Sequence, residues 1–569
     1  MDRLRGLFPR RGPLEPRLDR PFPAWAIFPL LFVGVYLTHL SLLRLPYYWD
    51  EAGYYIPAAY DFFRTGSLIP SSTLSNAHPP IPSIYLAMWW KASGFLPAVT
   101  RVAMCLVTAI ALLGVYELSR IVSRRPQIAA AVTLLTAIYP VWFAQSTLAH
   151  ADMFAAAGTL WGLAFFFAAL HDAAPEPSQP AREPRGRRDA IAAAVCFSLA
   201  ALSKETAIVT PVALALWLGY RLLRAIPREN RKPHLRLALC LLAPIFPLAA
   251  WYGYHRWRTG YFFGNPEFVR YNAISTLSPL RIGLALAHRL LQLTGHMNMF
   301  VPVFCALGAL MLLPLPERDG SPSRGIAWPD QAALYTVLIT NGIFFSVVGG
   351  ALLTRYLLPL YPLVLLLCAS TMRRRVPYWW ALVGLSAAAF LLGLWINPPY
   401  KFAPEDNLNY ADVIRLHQQA IHQIVTNDPG STVLTAWPAT DELTKPELGY
   451  VRKPVPVVKM EDFSLASIQK AAASGSDATV CFAFSTKYDP PNQWMSLGGR
   501  NESFDIRFFG FHKDLDPQEI AHRLDGSIVW WVERNNEWAA VLHLNRPQTA
   551  GLQQDRLPGP DHTLRASRP

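Results

Sequence analysis

An acidic pair with aromatic neighbours, Tyr47-Tyr48-Trp49-Asp50-Glu51, follows the first long apolar segment of the chain. Ala24 to Leu43 carries no Asp, Glu, Lys or Arg, and about twenty such residues suffice to cross a bilayer. Adjacent carboxylates at the mouth of a span are costly to keep there and mark a functional position. A carboxylate at a membrane surface can act as a general base toward an incoming hydroxyl or amine, or bind a divalent cation. The plainer alternative is that Asp50 only caps a helix beginning at Glu51 or Ala52.

Further polar residues fall where apolar segments end. His78-Pro79-Pro80 presents an imidazole beside a rigid extended turn. His150-Ala151-Asp152 lies in a connection too short to wander. Asp152 is expected to face Asp50 across one pocket, so that the two carboxylates divide the roles of base and orienting group; an N-cap at the start of the following helix is the simpler reading. Lys204 and Arg355 carry positive charge at the ends of spans opposite the other basic residues. They suit an anionic lipid phosphate, Arg through its fork and Lys as a point charge, or simple snorkelling to headgroups. Asp50, Glu51, His78, His150 and Asp152 leave a divalent cation open as a cofactor, although no spacing demands one.

The elements that must position these groups are apolar helices. The chain has 569 residues, 52% hydrophobic and 16% charged, where a soluble protein carries about a quarter charged. Eleven segments read as spans: 24–43, 98–118, 127–145, 153–170, 190–203, 206–223, 235–254, 297–315, 332–350, 355–372 and 378–396. The fifth and sixth, meeting at Ser203-Lys204-Glu205, could form one broken or re-entrant element. Basic residues collect in alternate connections: Arg120, Arg124 and Arg125; Arg185, Arg187 and Arg188; Arg221, Arg224 and Arg228; Arg373, Arg374 and Arg375. That bias assigns those loops to the cytoplasm. It also explains the net charge of +13 without nucleic acid. Asp50, Asp152, Lys204, Arg355 and everything after the last span then share the opposite side.

The expected organisation is a cytoplasmic segment 1–23, a transmembrane domain 24–396 and an α/β domain 397–551, with a disordered tail 552–569. Within the membrane part, 44–97 is a long outer loop with interfacial helices near 50–65 and 81–91. The Pro- and Arg-rich stretch 174–188 reads as a flexible loop. After Asn397-Pro398-Pro399, helical patterns at 410–425, 464–473 and 517–524 alternate with β-rich runs at 432–437, 478–484, 504–511, 528–533 and 538–544. The six cysteines show no CxxC spacing, and no nucleotide-binding fingerprint is present.

Taken in order, Trp49-Asp50-Glu51-Ala52-Gly53-Tyr54-Tyr55, His78-Pro79-Pro80, Ala149-His150-Ala151-Asp152, Leu202-Ser203-Lys204-Glu205 and Thr354-Arg355-Tyr356-Leu357-Leu358-Pro359 resemble the GT-C-type membrane glycosyltransferases. The resemblance is to the protein O-mannosyltransferase and aminoarabinose-transferase group, over residues 20–400. It implies a GT-C-like polytopic helical fold of about 11 spans and transfer of a sugar from a polyprenyl-phosphate-linked donor to an acceptor on the outer face of a bacterial plasma membrane. It further implies Asp50 as catalytic base with Glu51 and Asp152 beside it, and His78, His150, Lys204 and Arg355 toward substrate and its phosphate. Glu205 departs from the group, which often has Gly after that Lys. The acceptor, whether lipid, glycan or protein, does not follow. The rival readings are a polytopic transporter, which would place its charges near the midplane, and a membrane scaffold with an outer binding domain.

Overall fold

The computed structural model describes residues 24–73, 75–173, 183–270, 276–317, 322–490, 506–508 and 512–545. The segments 1–23 and 552–569, and residues 174–182 of the Pro- and Arg-rich stretch, lie outside the described residues.

Each of the eleven apolar segments contains a helix. Four helices are long and apolar enough to cross a membrane: Pro97–Ser123, Ala151–Ala173, Glu205–Arg224 and Arg231–Thr259. Pro279–Asn298 and Phe300–Leu310 form a further pair bent by 99°. Ala26–Thr38, Pro126–Ile138 and Trp379–Gly393 are apolar but shorter. The chain is thus an integral membrane protein by composition and fold, with a small mixed sheet in its C-terminal part.

Two local departures from the expected spans have evident causes. The segment 127–145 is broken at Tyr139, whose extended backbone (φ −62°, ψ 127°) is what a residue before Pro140 adopts. The short helix Pro140–Gln145 follows and packs against the Pro404–Asp406 turn. The connection between the expected spans 235–254 and 297–315 contains the helix Pro279–Thr294. Its apolar stripe is interrupted by Arg281, His288 and Arg289, and Arg281 and Arg289 are buried, so no uniformly apolar window reveals it.

The helix that opens with Asp152 is held tightly to its successor. Gly158 and Gly162 stand one turn apart on Ala151–Ala173 and face Glu183–Ala201. A Cβ on Gly158 would come 2.8 Å from the Cys196 carbonyl oxygen, and one on Gly162 would come 2.8 Å from the Phe197 ring. Small residues at this spacing let two helix backbones approach. The second helix ends in the Leu202-Ser203-Lys204 turn, and Leu202 O accepts from Ile81 N at 3.3 Å. One tight helix pair therefore sets Asp152, Lys204 and the His78 loop relative to each other.

After Gly393 the chain runs through a single 3₁₀ turn, Pro404–Asp406, into the helix Asn409–Asn427. Five strands follow: β1 Val433–Ala436, β2 Val457–Met460, β3 Val480–Phe484, β4 Gly526–Arg534 and β5 Glu537–Leu544. Their order is β2-β1-β3-β5-β4. β1 pairs in parallel with β2 and β3, while β5 runs antiparallel to β3 and β4. β2 was not expected, being short and flanked by Pro454, Pro456 and charged residues. The run expected as a strand at 504–511 forms a helical turn at 506–508, with its other residues outside the described set. The tail and bundle share one apolar cluster, in which Leu42, Leu45, Tyr48, Phe143 and Leu148 meet Tyr410, Val413 and Ile414.

Replacing Gly162 by Leu is expected to force the Glu183–Ala201 helix outward. Overpacking of this kind costs about 1–3 kcal/mol. A lowered unfolding temperature in detergent would be the readout, and an unchanged one would contradict the close packing.

Candidate active site

Asp50 enters the site on strained backbone. Trp49 before it has φ +45°, and Ala77 before His78 has φ +58°. Such conformations cost about 1–3 kcal/mol in a non-glycine residue and persist where neighbours enforce them. The Trp49 ring meets Trp437 of the tail edge-on at 5.0 Å. Trp437 also covers Gly53, where a Cβ would fall 2.7 Å from the indole. Trp251 Nε1 donates to Ala77 O at 2.9 Å. A wide, π-type turn, Glu51–Tyr55, follows Asp50, a form of helix found often at functional positions. Asp50 makes no side-chain capping hydrogen bond to it, so the capping reading is set aside.

The Asp50 carboxylate goes instead to Arg355 Nη2. The same guanidinium holds Glu405 through Nη1, at 2.5 and 2.6 Å from its two oxygens. Its Nε lies 3.4 Å from Asp152 Oδ2. Lys204 Nζ donates to Asp152 Oδ1 at 2.5 Å and sits 3.9 Å from the centre of the Tyr356 ring. Asp50 and Asp152, about a hundred positions apart in sequence, thus converge on one guanidinium. Exposure separates the three carboxylates: the Asp50 side chain is 36% exposed, that of Asp152 2% and that of Glu405 5%.

These groups line one end of a cavity of about 1110 Å³ between the bundle and the tail. Asp50, Lys204, Arg355, Tyr356 and Glu405 border it, with apolar wall from Ile208, Leu248, Phe344, Phe345 and Val348 and a rim from Trp437, Lys487 and Tyr488. On another stretch of wall, Asp406 accepts from Thr354 Oγ1 and lies 2.9 Å from His296 Nε2, whose Nδ1 is 3.0 Å from the Tyr400 hydroxyl.

The remaining sequence candidates fall around this centre. His78 lines the cavity and pairs through Nδ1 with Glu205 Oε2 at 3.0 Å. Glu205, the residue that departs from the family pattern, therefore serves His78. His150 is fully buried behind Tyr55 and does not border the cavity; its Nδ1 is 2.8 Å from Gln145 Oε1. Glu51 also turns away. Its carboxylate is fully buried and bidentate to Arg101, at 2.5 and 2.9 Å, and it accepts from Ala149 N at 2.6 Å and Tyr48 N at 3.0 Å. With both oxygens engaged it is placed for positioning, not for contact with substrate. Arg101 also donates to Pro46 O and Thr147 O, each at 2.8 Å. The pair ties the Asp50 loop to the turn that precedes Asp152.

For a divalent cation the donors do not fit. Among the described residues no group of three or more His, Cys, Asp or Glu could hold a metal ion, and Asp50, Glu51, Asp152 and Glu405 face Arg or Lys side chains instead. Arg101, Glu405 and Asp406 escaped the sequence reading. A charge near the start of the apolar run 98–118 was the available signal for Arg101. Glu405 and Asp406 sit in an ordinary polar stretch that gives none.

Residues 77–251 match the family model of dolichyl-phosphate-mannose-protein mannosyltransferases. No curated protein matches the chain. Among solved structures, ArnT from Cupriavidus metallidurans in the apo state is 16% identical with a TM-score of 0.52, covering 91% of this chain and 98% of that one. ArnT from the same organism bound to undecaprenyl phosphate is 16% identical with a TM-score of 0.54, covering 92% and 99%. The chain has the GT-C-type fold and resembles the membrane glycosyltransferases of the mannosyl and aminoarabinose transferase group.

Arg101→Met leaves Glu51 buried without its counter-charge, which is expected to cost about 3–5 kcal/mol. The double variant with Glu51→Gln should recover part of that loss. Thermal unfolding of the singles and the double forms a cycle, and strictly additive losses would show that the two side chains do not act as a unit.

Proposed function

We propose that this protein transfers a sugar from a polyprenyl-phosphate-linked donor to an acceptor at the outer face of a bacterial plasma membrane, with Asp50 as general base. The observation that carries the reading is that the most open of three carboxylates shares one buried guanidinium with the other two, on the wall of an apolar cavity. The ArnT structure bound to undecaprenyl phosphate supports a lipid phosphate as donor carrier. The Arg and Lys bias of the loops supports the outer face for the site and for the domain that begins near residue 397.

In this reading the donor's hydrocarbon stays against the apolar wall of Ile208, Leu248, Phe344 and Phe345. Its phosphate meets Arg355 and Lys204. The acceptor oxygen attacks the anomeric carbon from the Asp50 side and passes its proton to that carboxylate. The bond from the anomeric carbon to the phosphate oxygen breaks, and the lipid phosphate leaves as an anion paired with the two cations. Attack opposite the leaving group inverts the anomeric configuration. Asp152 and Lys204 hold each other and keep Arg355 in register, Glu51 with Arg101 fixes the loop that carries Asp50, and His78 with Glu205 borders the same space. Fixed charges aimed at the departing phosphate supply electrostatic stabilisation with little reorganisation, and confinement in the cavity supplies orientation.

Asp50→Asn removes the proton acceptor while nearly preserving shape. Turnover should fall by about 10²–10⁴-fold with membrane insertion and unfolding temperature unchanged. The check is mass spectrometry of outer-face glycans and lipid-linked sugars in a deletion strain carrying either form. An unaltered glycan profile with Asp50→Asn would overturn the enzymatic reading and favour a scaffold.

A further inference from the structure

Both terminal nitrogens of Arg355, the phosphate ligand of the proposed mechanism, already face carboxylates. Nη1 is held by both oxygens of Glu405 and Nη2 by Asp50. Nε, at 3.4 Å from Asp152, has no hydrogen-bond partner among the described residues, and neither does Asp152 Oδ2. The local charge is also unfavourable. Arg355 and Lys204 give +2 and Asp50, Asp152 and Glu405 give −3, a net of −1 when all are ionised. With all three carboxylates ionised, an arriving phosphate would add negative charge to a cluster that is already negative, whereas with Glu405 protonated the cluster is neutral. One carboxylate must let go.

Geometry singles out Glu405. Asp50 is open to the cavity, and Asp152 remains neutralised by Lys204 at 2.5 Å. Glu405 is buried, and Arg355 is its one ion-pair partner among the described residues. It cannot swing away, because its turn is anchored on both sides. Gln145 Nε2 donates to its backbone oxygen at 3.3 Å, and the adjacent Asp406 is fixed by Thr354 and His296. Two consecutive carboxylates thus clamp two consecutive residues, Thr354 and Arg355. Resting on the proposed function, we infer that Glu405 is a positioning residue that holds Arg355 while ionised and frees it once protonated, the protonated form being the one that binds the donor phosphate.

The surroundings favour that exchange. Burial pushes the Glu405 carboxyl up to about 8, against the pull of the Arg355 guanidinium, with Asp50, Asp406 and Asp152 adding to the rise. Near it also lie the Tyr48 phenol and, through Asp406, His296, and the helix Asn409–Asn427 packed on the same turn carries Tyr410, Asp412, Arg415 and His417. The helix Pro140–Gln145 packed against the turn contributes no titratable side chain. A bound phosphate moves the carboxyl further upward, so the protonated form binds the anion better. Binding is then strongest below about pH 8 and weakens as pH rises above it, by up to about tenfold per unit. Undecaprenyl phosphate, a monoester, loses its last proton near pH 6, outside that window, and the sugar-linked donor is a diester with no proton to lose there.

The test uses the full chain in nanodiscs and undecaprenyl phosphate as probe, with Kd measured from about pH 7 to about pH 9.5. The wild type should lose affinity above pH 8 by several-fold to about tenfold per unit. Glu405→Gln, neutral throughout, should show a flat profile and tighter binding than wild type at the highest pH. A second measurement needs no variant: mixing wild type with the lipid in weak buffer at about pH 8.5 should take up a substantial fraction of one proton per lipid bound. A flat wild-type profile, an equal slope in Glu405→Gln, or no proton uptake would each overturn the inference while leaving the proposed function standing. Absence of binding by the wild type at every pH would overturn both.

Discussion

The site depends on one guanidinium surrounded by carboxylates in a place with little water. Removing Arg355 and its partners from solvent carries a desolvation penalty that only close contacts offset. The structure provides them from four separate parts of the chain: the Asp50 loop, the start of the Asp152 helix, the Thr354–Leu357 turn and the Pro404–Asp406 turn. Each part would be free to drift without the shared cation. Each in turn prevents the cation from becoming an uncompensated buried charge.

That dependence explains the outer layers. The buried pair Glu51–Arg101 contributes nothing to the cavity wall, yet it fixes residues 46–51 to the 147–149 turn. The glycine contact between Ala151–Ala173 and Glu183–Ala201 fixes Asp152 against Lys204. The tail reaches in from above, with Trp437 on Trp49 and Gly53 and the Tyr450 hydroxyl donating to Tyr47 O at 3.1 Å. The result is a preorganised cluster of fixed charges under a cavity open to both an apolar wall and a polar rim, the arrangement that transfer from a lipid phosphate requires.

Legibility in the sequence followed contrast. Asp50, Asp152, Lys204 and Arg355 stand out because charge at the end of an apolar run is expensive, and the Arg-rich loops show which ends share a side. All four meet in the structure. Glu51 was equally visible but faces inward, where Arg101 and the Ala149 and Tyr48 amides engage both of its oxygens. His150 was visible as a motif neighbour but lies behind Tyr55. Glu405 and Asp406 were invisible: they follow the last span, where carboxylates are common, and their burial arises only when the Pro404–Asp406 turn folds back onto the bundle. The helix Pro279–Thr294 was hidden by the arginines and histidine that interrupt its apolar stripe, and β2 by its flanking prolines. What the sequence could not express was long-range closure, the joining of segments by partners hundreds of residues apart.

The central claim is that a lipid phosphate binds where Arg355 and Lys204 converge beside Asp50. A cryo-electron microscopy structure of the full chain with undecaprenyl phosphate tests it most directly. The account predicts phosphate oxygens at hydrogen-bond distance, about 3 Å, from the Arg355 guanidinium and the Lys204 ammonium, with the prenyl chain leaving along Phe344 and Phe345. Phosphate density at another position, with Arg355 still fully engaged by its carboxylates, would contradict it.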